Sequence, residues 1–265
     1  MLLVIDIGNT NIVIGIFDED LLVKTYRLSS RVLRTSDEYS LEIASLLFFD
    51  NISINKIENI IISSVVPPLD PIIEKTCEKL FNKKPIFVNL SMKFPIKFEI
   101  ENLNEIGMDR VVGSSMGYCI TKSGTLVVDF GTATTFDIIK KEGVFIGGAI
   151  APGILISLES LITRTAKLPK VELTLPPSPI GKNTVNAIKS GILYGWSGIV
   201  ERILFEVEKT LNEKMRLIIT GGASHFVLPL IRIDYIYDKD LILKGLKLIY
   251  DLNQWNLILI TKDLF

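Results

Sequence analysis

The hydrophobic pattern near the start of the chain predicts three strands, over residues 2–7, 11–18 and 21–28. The first ends in Asp6-Ile7-Gly8. Asn9, Thr10 and Asn11 then separate it from a second apolar run that begins with Ile12 and Val13. An apolar strand, a tight turn and a returning strand follow from that order. Ser36-Asp37-Glu38 opens a helix reaching about Phe49, with a serine cap and an acidic first turn. Residues 60–65 are an unbroken apolar run, suited to a buried parallel strand. Pro67-Pro68 ends it, Asp70-Pro71 starts a helix to about Phe81, and residues 85–88 form another short strand. Residues 89–106 are irregular and predict a loop with a short edge strand. A helix rich in small residues follows Gly107-Met108-Asp109-Arg110, which suggests close packing against a neighbour. Alternating strands and helices predict a mixed α/β sheet.

From Ser123-Gly124 the design repeats. Leu126-Val127-Val128-Asp129-Phe130-Gly131-Thr132 has the same order of apolar strand, Asp, one residue, Gly and small polar residues. A returning strand over 135–139 and a third over 143–148 match the first unit. Such repetition implies two related lobes, expected at residues 1–122 and 123–265. The remaining pattern predicts a glycine-rich turn at 147–153 and a helix over 154–163. A proline-rich loop over 166–181 follows, then helices over 185–194 and 197–211. A strand over 216–222 enters a Gly-Gly turn and a helix, and a closing helix spans 240–250. The apolar tail, 255–260, reads as a strand, a partner contact or a poorly ordered end.

Both repeated turns expose backbone N–H groups where a phosphate can approach. The carboxylate beside the first, Asp6, suits a hydrated Mg²⁺, and Asp129 is its twin beside the second. A single Asp-x-Gly turn makes an ordinary hairpin equally well; its second occurrence favours a ligand. Asp109, read locally, is a helix cap and Arg110 a surface charge.

Lys and Arg number 29 against 30 Asp and Glu, so no basic footprint points to nucleic acid. Hydrophobic residues make up 48% of the chain, yet no apolar run approaches the ~20 residues that span a bilayer, and no membrane partner is expected. Cys77 and Cys119 have no metal spacing and read as buried, reduced thiols of a cytoplasmic protein. His225 is the only histidine, so chemistry must rest on carboxylates, hydroxyls and backbone. Neither G-x-x-x-x-G-K-[ST] nor a strand followed by G-x-G-x-x-G is present, which excludes P-loop, dinucleotide-binding and protein-kinase sites.

Taken together, residues 6–11, 107–110, 129–135, 147–153 and 181–184 resemble the type III pantothenate kinases, within the actin-like ATPase and sugar-kinase superfamily. The matches run from residue 1 to about Gly222. The resemblance implies a two-lobed actin-like (ribonuclease H-like) duplicated α/β fold with mixed sheets and flanking helices. It also implies phosphorylation of pantothenate by ATP at the first step of coenzyme A synthesis, by a homodimer whose subunits share the substrate pocket. By resemblance the segment Asp6, Ile7, Gly8, Asn9, Thr10, Asn11, Ile12 and Val13 is the ATP loop, with Asp6 toward the nucleotide's Mg²⁺ and Thr132 holding phosphates from the second lobe. Asp109 becomes the base for the acceptor hydroxyl and Arg110 the partner of the pantothenate carboxylate. Gly107, Met108 and Thr184 complete the substrate pocket. Asp129 becomes the ligand of a monovalent cation, K⁺ or NH₄⁺. The Gly-Gly turn at 221–222 becomes an adenosine contact. Gly113 departs from the family, which usually carries a larger polar residue there. A phosphohydrolase of the same fold, or a nucleotide-binding accessory factor in transcription, is the alternative.

Overall fold

A computed structural model describes residues 1–32, 34–165 and 168–262, with side chains through residue 254. The chain divides into two compact units: residues 1–95, 102–116 and 240–265, and residues 96–101 with 117–239. This division differs from a single cut after residue 122, because the closing helix packs on the first sheet.

In the first unit β1 (Leu2–Ile7), β2 (Asn11–Asp18) and β3 (Leu21–Ser29) form an antiparallel meander. α1 (Ser36–Phe49) follows, then β4 (Asn59–Ser64), which pairs parallel with β1, then α2 (Asp70–Phe81) and β5 (Ile86–Phe87). The sheet order is β3-β2-β1-β4-β5. Alternation decides the two faces. Leu3, Ile5, Ile7, Ile60 and Ile62 pack with Tyr39 and Ile43 of α1 and with Ile73 and Cys77 of α2. Leu2, Val4 and Ile61 point the other way. They meet Val112 of α3 (Met108–Thr121) and Leu243, Leu246 and Ile249 of α6 (Leu241–Lys262). Asn253 fastens α6 by exchanging hydrogen bonds with the backbone of Lys93.

In the second unit β6 (Lys97–Phe98) is the short edge strand. β7 (Thr125–Phe130), β8 (Ala133–Lys140) and β9 (Val144–Pro152) repeat the meander. α4 (Ile154–Thr163) and α5 (Thr184–Leu211) cover Leu126, Val128 and Phe130, and β10 (Arg216–Thr220) and β11 (Tyr235–Tyr237) extend the sheet. Its order, β11-β10-β7-β8-β9-β6, reproduces the first sheet with β6 added at the edge.

Several local expectations change. Thr35, not Ser36, caps α1, because Thr35 and Glu38 form a complete capping box. The glycine-rich stretch at 147–153 is mostly strand. β9 stays paired with β8 past a register shift, and Gly148 lies so close to Phe136 O that no side chain fits. α5 is one continuous helix where two were expected, since no proline interrupts it. Beyond β10 the chain makes two 3₁₀ turns, Ser224–Phe226 and Leu228–Leu230, instead of a regular helix. The tail, expected as a strand, a partner contact or a poorly ordered end, continues α6 as far as Lys262, and residues 263–265 lie outside those described. Cys77 is buried and its thiol is pushed up to about 12 by burial, whereas Cys119 is only half-buried.

Candidate active site

Each unit carries its turn at the same place in its meander. In the first, Asp6 is paired across the sheet with Val13 on one side and Ser63 on the other. The Gly8 N–H donates to Asn11 O at 3.0 Å and closes the turn. The Ser30 N–H, just beyond β3, donates to Thr10 O at 3.1 Å and pins the tip. The second turn is built alike: Gly131 N–H donates to Ala133 O at 3.1 Å, and Gly153 N–H donates to Thr132 O at 3.0 Å. Asp129 stands opposite Thr135 of β8 and Thr220 of β10. The chain then turns at Gly221 with φ +94°, and a Cβ there would lie 2.3 Å from Asp129 Oδ1 and 2.4 Å from Phe130 N. Only glycine meets both demands.

Asp109 is connected to the strand end before the first turn through β4. Parallel pairing sets Ile7 beside Ser64, and the Val65 N–H donates to Ile7 O at 3.0 Å. Gly107 lies against Val65, and a Cβ on it would stand 3.3 Å from Val65 Cγ1 and 2.4 Å from Asp109 Oδ1. Asp6, the 8–11 turn and Asp109 therefore gather at the carboxyl end of β1 and β4. That is where ligands of α/β sheets bind. Asp109 sits in the first turn of α3, and its Oδ1 accepts the Arg110 N–H at 2.7 Å. Burial raises its pKa above the ordinary carboxylate range; the Arg110 N–H and guanidinium oppose this with smaller effect. A half-buried carboxyl with raised proton affinity is what a general base requires.

Met108 and Arg110 share this segment with Asp109. Thr184 lies in the other unit, exposed in the first turn of α5, where Asn183 caps the helix by accepting the Asn186 N–H at 2.8 Å. Thr132 and Asp129 belong to that second unit too. Gly113 packs toward Ile242 Cδ1 of α6, where a Cβ would come within 2.9 Å, so a larger residue there requires the end of the Ile242 side chain to move aside. Among the described residues no group of three or more His, Cys, Asp or Glu side chains could hold a metal ion.

Two features near the site escape the sequence pattern. Arg31 Nη2 donates to Thr10 Oγ1 at 3.4 Å. Ser64 Oγ donates to Asp70 and accepts the Val66 N–H, bracing the strand end beside Gly107; burial raises the Asp70 pKa. Neither has a motif; both contacts exist only once β3 and β4 are in place.

A family model described as type III pantothenate kinase matches residues 2–206. The chain belongs to the type III pantothenate kinase family. A member from Geotalea daltonii is 42% identical over 254 residues, 96% of this chain and 99% of that protein. One from Bacillus cytotoxicus is 42% identical over 253 residues, 96% and 97% of the respective chains. Among solved structures, a protein described as a conserved putative Baf family transcriptional activator from Campylobacter jejuni superposes with TM-score 0.60 at 24% identity, over 95% of this chain and 98% of that one. MreB 5 of Spiroplasma citri bound to AMPPNP superposes with TM-score 0.53 at 9% identity, over 97% of each chain. These two show the fold alone, which is that of actin-like ATPases and sugar kinases. Membership of the type III pantothenate kinases makes the chain a kinase and disfavours the phosphohydrolase and accessory-factor alternatives. No helix among the described residues is long and apolar enough to cross a membrane.

Proposed function

We propose that the chain transfers the terminal phosphoryl group of ATP to the primary hydroxyl of pantothenate, in the cytoplasm and as a homodimer. The observation that carries this is the gathering of the 8–11 turn, Asp6 and Asp109 at one end of one sheet. Residues 6–13 hold the ATP phosphates through backbone N–H groups and short side chains, with Thr132 assisting from the second unit. Asp109 accepts the proton of the acceptor hydroxyl as its oxygen attacks phosphorus. Its raised pKa strengthens that pull, worth about 10²–10⁴-fold in rate. Arg110 pairs with the pantothenate carboxylate, Gly107 and Met108 lend backbone, and Thr184 lends a hydroxyl. Asp6 faces the nucleotide's Mg²⁺ and Asp129 a K⁺ or NH₄⁺ ion; these cations, when bound, offset phosphate charge.

The dimer would form through α5. Among the described residues nothing beyond the helix itself lies within 4 Å of a Cβ built on Gly191, Gly195 or Gly198, so this helix face is open to a second copy. The deciding experiment is incubation with ATP, Mg²⁺, K⁺ and pantothenate, with mass detection of 4′-phosphopantothenate. ATP consumption without that product refutes the assignment.

A further inference from the structure

The two turns are short of positive charge. Residues 6–13 and 129–134 include two carboxylates, Asp6 and Asp129, and no lysine or arginine. A polyphosphate brought to them needs cationic partners. The fold brings one to the first turn from outside it. Beyond β3 the backbone is fastened to that turn by the Ser30 N–H to Thr10 O bond, and the Arg31 N–H donates to Ser29 Oγ at 3.2 Å. From this anchored position the Arg31 guanidinium reaches back, and Nη2 donates to Thr10 Oγ1. Arg34, three residues on, is already engaged: it pairs with Glu42 at 3.3 Å and donates to Ser29 O at 3.2 Å. Arg31 is exposed, and among the described residues no carboxylate pairs with it. A guanidinium carries five N–H donors in a planar fork that matches phosphate oxygens, and it stays charged at any physiological pH.

We propose that Arg31 is a phosphate-binding residue whose guanidinium, steered over the 8–11 turn by Thr10, contacts the polyphosphate of ATP. This rests on the assignment of that turn as the ATP loop. Its contribution is to nucleotide affinity and to charge neutralisation, and it leaves the acceptor pocket alone.

The test compares wild type with Arg31→Ala, Arg31→Gln and Arg31→Lys, using calorimetric titration of Mg·ATP and of adenosine beside steady-state kinetics. Loss of one exposed charge-assisted contact predicts roughly tenfold weaker Mg·ATP binding in the alanine and glutamine variants. Adenosine affinity and the KM for pantothenate stay at wild-type values, and lysine restores part of the loss. If Mg·ATP affinity stays within twofold of wild type in both neutral variants, Arg31 does not touch phosphate. Equal weakening for adenosine assigns Arg31 a purely structural role and overturns the proposal too. Wild type that binds no Mg·ATP removes the assignment of the turn itself. Wild-type turnover with an unchanged KM for ATP in the neutral variants overturns the role of Arg31 alone.

Discussion

Replacing Gly107 by alanine probes whether the position of one carboxylate governs the rate. The new Cβ would stand 2.4 Å from Asp109 Oδ1, where ordinary contact begins at 3.4 Å. Val65 Cγ1, 3.3 Å away on another side, limits escape in that direction. The backbone itself accepts alanine, since Gly107 is not in the left-handed region. The strain therefore falls on the Asp109 side chain, which must withdraw by about 1 Å. Withdrawal also stretches its 2.7 Å bond from the Arg110 N–H. A misplacement of about 1 Å at a reacting group costs roughly 10²-fold in rate, about 2.7 kcal/mol of transition-state stabilisation. We expect kcat for phosphopantothenate formation to fall about 100-fold, with the Kd for Mg·ATP within about twofold of wild type. A Gly107→Ala enzyme with kcat within about threefold of wild type would refute the argument that Asp109 must sit where it does.

Asp109→Asn should reduce turnover by about 10²–10⁴-fold while melting at a higher temperature than wild type above neutral pH. The sign follows from the raised folded pKa: below the ordinary carboxylate value both states are protonated, and stability falls as pH rises through the folded pKa because a charge is forced into a half-buried site. The asparagine variant lacks that loss, so the difference in melting temperature should grow in calorimetric scans as pH rises from the ordinary carboxylate value through the raised folded one. A wild-type kcat/KM that shows no acid limb above the usual carboxylate range would count against Asp109 as the base. Gly221→Ala should cost more than about 1–2 kcal/mol of stability, from the φ of +94° and the clash with Phe130 N, and should abolish Mg·ATP binding in titration. Asp129→Asn should weaken turnover and remove the advantage of K⁺ over Na⁺ at constant ionic strength; a wild-type rate equal in both salts sends Asp129 back to a Mg²⁺ or water-holding role. Gly191→Leu should convert a dimer to monomer by light scattering, whereas Gly191→Ala should raise helix stability by up to about 1 kcal/mol.

The repeated meander was legible because it is written locally. Val4 to Asn11 and Leu126 to Thr132 each state a strand, a carboxylate and a turn within a few residues. The boundaries of α2 and α4 follow from Asp70-Pro71 and Gly153, again local punctuation. What the pattern leaves out is non-local. β11 is three residues long and exists through its pairing with β10. The capping box of α1 required choosing between neighbouring hydroxyls at Thr35 and Ser36, and Glu38 decides for the first. α5 runs unbroken through residues 195–196, where the expected helices were divided. Asp6, Asp109 and Asp129 are visible as motif residues. Arg31 is not, because its partner Thr10 is close only after β3 has folded back.

The return of α6 to the first sheet has a consequence for how this chain is made. Leu2, Val4 and Ile61 emerge from a ribosome well before the side chains that cover them, Leu243, Leu246 and Ile249. Between the two pieces the whole of residues 117–239 must be synthesised. At about 5–20 residues per second that interval lasts roughly 6–25 s. Throughout it the nascent sheet carries one sealed face, under α1 and α2, and one apolar face that has Val112 of α3 but still lacks α6. The second unit has no such debt, since α4 and α5 follow directly on the meander they cover. A ribosome stalled before Asp240 therefore displays a finished second unit joined to a sticky, half-built first one, which is the form a trigger-type chaperone would be expected to hold.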